Sequence, residues 1–228
     1  MKEDINKKQL DKLKDHYKDM KIEKNMDTVV ATVLFYDNKD EYPLAFIELP
    51  PFDTKTEQYQ TFEIALNFLK FFNTEKIAFA IDTFYREMSV EEFEATRKGQ
   101  KEFVPASLDA KSKSALSTTM AYRDTGKTEI TMLPYSINDE GKIIFDDDNI
   151  TTSENSDGMM VDMVKSAQDF FTTTFEEINS FNDDEKDTLG GELFKFIEQT
   201  SKYGFKINMC DEVFEDYNLS RFGGGKPA

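Results

Sequence analysis

The sequence predicts an α+β chain: a mostly antiparallel sheet of about five to six strands, packed by helices, with two helices at the C-terminal end. Three observations carry this expectation. Runs rich in β-branched and aromatic residues recur at strand length. Several are joined by turns so short that only a hairpin can connect them. Beyond residue 160 the apolar residues switch to the three-and-four spacing of amphipathic helices.

Taken in chain order, the segment Lys2–Lys24 holds eight Lys against six acids. Leu10, Leu13, Tyr17 and Met20 lie three or four apart in it, so residues 1–24 read as a thin amphipathic helical extension. Thr28–Tyr36 (TVVATVLFY) and Leu44–Leu49 read as a strand hairpin across Asp37–Glu41, stopped by Pro50-Pro51, which cannot continue a ladder. Thr54 with Glu57 three residues on forms a capping box that opens a helix running to Asn73. Its apolar residues, Tyr59, Phe62, Ile64, Leu66, Phe68, Leu69, Phe71 and Phe72, cover more than one face, which predicts near-complete enclosure. Lys76–Tyr85 (KIAFAIDTFY) follows as a buried strand.

Arg86–Ser114 is a charged connector in which Ser89 and Glu92 cap a short helix, and Gly99–Pro105 reads as loop. Ala115–Arg123, Lys127–Ser136 and Lys142–Phe145 then form a three-stranded meander, with glycines in both connecting turns where positive φ is needed. Pro134 has no N–H to donate to a ladder, so part of the middle strand is expected to be bulged or unpaired on that side. Met160, Val164, Ala167, Phe171, Phe175 and Ile178 mark one closing helix. Leu189, Leu193, Phe196 and Ile197 mark a second over Asp183–Lys202, with Gly204 as its cap. Residues 25–222 therefore read as one α+β domain, with 223–228 as a flexible tail.

Charge narrows the function classes. The 228 residues carry 28 Lys plus Arg against 45 Asp plus Glu, a net of −17. Such a chain repels phosphate backbones and anionic membrane surfaces, so direct nucleic-acid binding and membrane binding are disfavoured. Apolar runs stay at strand length, and the start Met-Lys-Glu-Asp-Ile-Asn has no secretory leader pattern. Cys210 is the single cysteine, which fits a reducing compartment and predicts a cytoplasmic protein. One His and one Cys cannot build a zinc site, and His16 is expected on the wet face of its helix.

Three constellations could carry chemistry. Ala121–Thr128 (AYRDTGKT) fits a relaxed phosphate-loop pattern, with Lys127 for phosphate oxygens and Thr128 for Mg²⁺. The residues that follow alternate like a strand rather than opening a helix, and Asp124 would repel phosphate, so a hairpin turn accounts for the same letters. Asp146 and Asp148 after a strand, with Asp82 at the end of another, could hold Mg²⁺ or Mn²⁺ in a divalent-metal-dependent hydrolase or nuclease. Otherwise no cofactor is expected. Finally, Asp139–Glu192 holds 16 acids against three Lys, a net of −13 in 54 residues. Opposite the apolar stripes, Asp162, Asp169, Glu176, Glu177, Asp183, Asp184, Glu185 and Asp187 would form one negative field. That favours a non-enzymatic interaction protein with a basic protein partner. One special form of it is a DNA mimic that inhibits a DNA-binding protein.

The stretch Ile81-Asp82-Thr83-Phe84-Tyr85, then Pro105-Ala106-Ser107-Leu108-Asp109, then Lys113-Ser114-Ala115-Leu116 and the meander resembles small proteins of tailed-bacteriophage genomes that have no assigned activity. The resemblance implies context: a phage accessory or host-takeover protein acting in the host cytoplasm. It carries over no functional residue.

Overall fold

The structure is a computed structural model and describes residues 2–19, 30–37, 43–72, 74–86, 88–102, 104, 111–154, 161–162, 165, 182–211 and 213. Its frame is an antiparallel sheet that curls into a half-barrel. The strands are β1 (Thr32–Tyr36), β2 (Ala45–Glu48), β3 (Lys76–Tyr85), β4 (Lys113–Tyr122), β5 (Thr128–Ile137), β6 (Ile143–Phe145), β7 (Thr151–Glu154) and β8 (Lys206–Met209). They lie in the order β6-β5-β4-β3-β1-β2-β8, with β7 also on β5. Eight strands replace the expected five to six. The two additions are short edge pieces: β8 completes the free edge of β2, and β7 shares the outer edge of β5 with β6.

Pro134 explains why β5 needs two partners on one edge. Its carbonyl accepts from the Asp146 N–H at 2.8 Å, on the side where β6 pairs Tyr135–Ile137 and β7 pairs Glu129–Met132. A residue's N–H and C=O face the same edge of a strand, so the missing proline N–H falls in the break between the two partners. Against β4 the ladder runs through undisturbed, with Ala115 opposite Pro134.

Four helices are described: α1 (Lys2–Asp19), α2 (Lys55–Leu66), α3 (Val90–Arg97) and α4 (Asp183–Ser201). The Thr54 hydroxyl accepts from the Glu57 N–H, and the Glu57 carboxylate accepts from Thr54 N–H in return, as the capping box predicts. Past Leu66 the chain tightens into a 3-10 turn, Asn67–Phe71. The expected enclosure is incomplete: Tyr59 and Ile64 reach solvent, because a sheet covers only one side of a helix. Ser89 accepts from Glu92 N–H and starts α3. Gly204, at φ +92°, ends the turn after α4. Residues 161, 162 and 165 are helical, but the rest of the first expected closing helix and the 223–228 tail lie outside the described residues.

Strand alternation sends side chains to two cores. On one face Val33, Phe35, Ile47, Ile77 and Phe79 pack with Phe62, Phe68, Phe71, Phe72 and Leu193, under α2 and α4. On the other, Leu34, Tyr36, Ala78, Ala80, Leu116, Met120 and Leu133 pack with Leu13 and Tyr17 of α1. The small Ala78 and Ala80 leave the depth that a helix over this face requires. The N-terminal helix is thus part of the core. His16 is not on the wet face expected of it: it is half-buried, its ring 4.1 Å edge-on to Phe46.

Candidate functional site

The acidic field is clearest on α4. Asn182 caps the helix, its side-chain carbonyl accepting from Glu185 N–H at 3.0 Å while the Glu185 carboxylate accepts from Asn182 N–H at 2.8 Å. Acids in a first helical turn face the positive end of the macrodipole, so Asp183, Asp184 and Glu185 stabilise the helix they start. Further acids need another account. The helix anchors through buried Leu193 and through Phe196, 4.6 Å edge-on to Phe68. Its exposed flank carries Asp184 and, two turns on, Glu192, about 12 Å along the axis. These two line a shallow groove of about 460 Å³ with Asn182, Glu185, Thr188 and Leu189. Of the expected interaction residues, Asp162, Asp183, Asp184 and Glu185 are exposed, and Asp187 is half-buried. Asp162 follows Val161, which is fully buried. Asp169, Glu176 and Glu177 lie outside the described residues.

The metal alternative disperses into local roles. Asp82, on the α1 side of the sheet, accepts from the Tyr135 hydroxyl at 2.7 Å. Asp146 accepts from Asn149 Nδ2 at 2.8 Å and opens a 3-10 turn that contains Asp148. Between them Asp147 accepts from Lys14 at 2.8 Å, a bond that holds its carboxyl below the usual range and ties α1 to the end of β6. Among the described residues no three His, Cys, Asp or Glu side chains gather into a metal-holding group.

The phosphate-loop letters form the β4–β5 turn. Gly126, at φ +62°, donates from its N–H to Tyr122 O at 2.9 Å, and Tyr122 N–H donates to Lys127 O at 3.0 Å. A strand follows, not a helix N-terminus that could face an anion. Beside this turn lies a feature that the sequence reading did not single out, a cavity of about 240 Å³ lined by Tyr122, Asp124, Thr125, Lys127, Thr128, Glu129 and Glu154. Glu129 and Glu154 stand directly opposite each other on β5 and β7. Burial first, then the facing Glu154, raises the Glu129 carboxyl above its ordinary range, and Lys76 and a Tyr122 hydrogen bond oppose the rise. Lys76 is itself buried, donating to Gln9 Oε1 at 2.6 Å and lying 5.2 Å from the Tyr122 ring centre. Alternation carried a signal for this group. Lys76 and Glu129 share the inward phase of Ala78, Ala80, Leu133 and Tyr135, and a charge in that phase faces the interior.

Like charges on opposed strand positions destabilise a sheet. Because folding raises the Glu129 pKa, the native state binds the proton more tightly than the unfolded chain does. Stability from this group is therefore present at acid pH and falls as pH rises through the carboxylate range. Glu129→Gln is expected to raise Tm at pH 7, and the gain should narrow as pH is lowered past that range. Melting curves across pH check it; a gain at pH 7 that persists unchanged in acid would contradict the assignment.

No family model, curated protein or solved structure matches the chain.

Proposed function

We propose that the chain is a non-enzymatic interaction protein that engages a basic protein partner through the acidic flank of α4. The observation that carries this reading is the pairing of Asp184 with Glu192 in one groove on a helix locked to the core by its opposite face. Capping and the macrodipole account for acids in the first turn, but not for Glu192. A fixed row of carboxylates attracts a cationic partner over several ångströms and gives orientation as well as rate. The resemblance to phage proteins would place that partner in the cytoplasm of a host cell.

The test is cross-linking and affinity capture from host lysate at low and high salt, run beside the charge-reversed variant Asp184→Lys/Glu192→Lys. The expected result is a partner retained at low salt, released at high salt and lost from the variant. These substitutions sit on the exposed flank, so the fold should hold, which circular dichroism checks. A partner captured equally by the variant, or no salt-sensitive partner at all, would overturn the proposal.

A further inference from the structure

Helix α4 has a weak point near its centre. Gly190 and Gly191 stand side by side inside the 19-residue helix, between Leu189 and Glu192. A glycine inside a helix is disfavoured against alanine, because it gives up more backbone freedom than any other residue. Two in succession penalise the backbone ladder twice at one place.

The halves on either side of this joint are held differently. After it, Leu193 and Thr200 are buried, and Phe194, Phe196 and Ile197 pack against the core shared with α2. The Phe196 ring lies 4.6 Å from that of Phe68 and 5.8 Å from that of Phe71. Before the joint, Asp183–Leu189 has no buried residue, and Leu189 is the single apolar one of its seven. Leu189 touches the core half-buried. Local bonds add to its hold: the capping box of Asn182 with Glu185, and the Thr188 hydroxyl donating to Asp184 O at 2.9 Å. A helix of seven residues is marginal on local bonds of that kind. Charge works against this half as well. It holds four acids against one Lys, a net of −3, and Asp183 and Asp187 are like charges one turn apart. The macrodipole favours the acids of the first turn, and Asp187 lies beyond its reach.

We infer that α4 is built as two units: Asp183–Leu189 opens and closes by itself about Gly190-Gly191, while Glu192–Ser201 stays with the core. Asp184 stands on the opening unit and Glu192 on the fixed one, so the groove that both line is complete only in the closed form. The consequence for binding rests on the α4 reading proposed above. A cationic partner that bridges Asp184 and Glu192 binds the closed form, and by mass action holds it shut.

Residue-resolved hydrogen exchange on the folded full chain tests the two units. Amides of Lys186–Leu189 should exchange on the order of 10-fold or more faster than those of Phe196–Thr200. Asn182→Ala removes an exposed cap, so it should speed exchange at Lys186–Leu189 by about 3–10-fold and leave Phe196–Thr200 unchanged. Gly191→Ala, at a half-buried position, should slow Lys186–Leu189 by about 2–5-fold in a variant that melts no lower than the wild type. Equal protection along α4 overturns the inference. So does a cap effect that runs equally through Phe196–Thr200, or a Gly191→Ala variant of normal melting that exchanges like the wild type. For the partner the probe is an octalysine peptide at low salt. It should slow exchange at Lys186–Leu189 in the wild type and not in Asp184→Lys/Glu192→Lys. A first half that opens separately and ignores the peptide keeps the two units and overturns their coupling to a cationic partner.

Discussion

Tyr17→Ala is expected to cost about 3–5 kcal/mol of stability, the range for removing a large buried aromatic side chain. Tyr17 is fully buried, on the one helix that packs over its face of the sheet among the described residues. Its hydroxyl donates to Val30 O at 2.9 Å and shares a 2.7 Å hydrogen bond with the Thr32 hydroxyl. Burial pushes the phenol well above its ordinary range, which favours the neutral donor form. Removing the ring empties the space above Ala78 and Ala80 and leaves the Thr32 hydroxyl without that partner. Tyr17→Phe separates the two contributions. It keeps the ring and loses the hydroxyl, at about 1–2 kcal/mol. Chemical denaturation measures both variants, and hydrogen exchange should show α1 opening before the sheet in Tyr17→Ala. A loss under about 1 kcal/mol for the alanine variant would mean that α1 does not stabilise the sheet in the way described.

The second large effect is expected at Phe68. This ring lies in the 3-10 turn after α2, fully buried, 4.6 Å edge-on to Phe196 of α4 and 6.3 Å from the stacked ring of Phe72. It is the joint between α2 and the helix that presents the acidic groove. Phe68→Ala should cost about 3–5 kcal/mol. Because α4 loses its aromatic anchor, partner capture should fall with it even below the melting transition. Ile64→Ala, about one turn earlier at a position 36% exposed, serves as control and should cost less than about 1 kcal/mol. Equal losses at the two positions, or a Phe68→Ala variant with normal stability, would contradict this packing.

The second effect bears on the proposed function through geometry. The α4 carboxylates make a usable field only while Leu193 and Phe196 hold the opposite flank against the core. A carboxylate row on a fraying helix would average its field over many orientations and lose direction.

Local chemistry was legible in the amino acids. Thr54 with Glu57, Ser89 with Glu92, and Gly126 and Gly204 at positive φ are settled within a few residues, so caps, turns and the six longest-patterned strands could be read directly. The acids of α4 were legible for the same reason: charge and spacing are properties of the chain. The edges were not. TTSE of β7 is exposed throughout, and KINM of β8 alternates exposed and half-buried over only four residues, so neither run is long enough to mark a strand by itself. They become strands because β5 and β2 offer unpaired edges, and an edge exists only once the sheet has formed. The Glu129–Glu154 opposition and the seat of α1 over Ala78 and Ala80 likewise arise from contacts between segments far apart in sequence. Short-range preference determines which elements form, and the burial available after assembly decides which faces and edges they present.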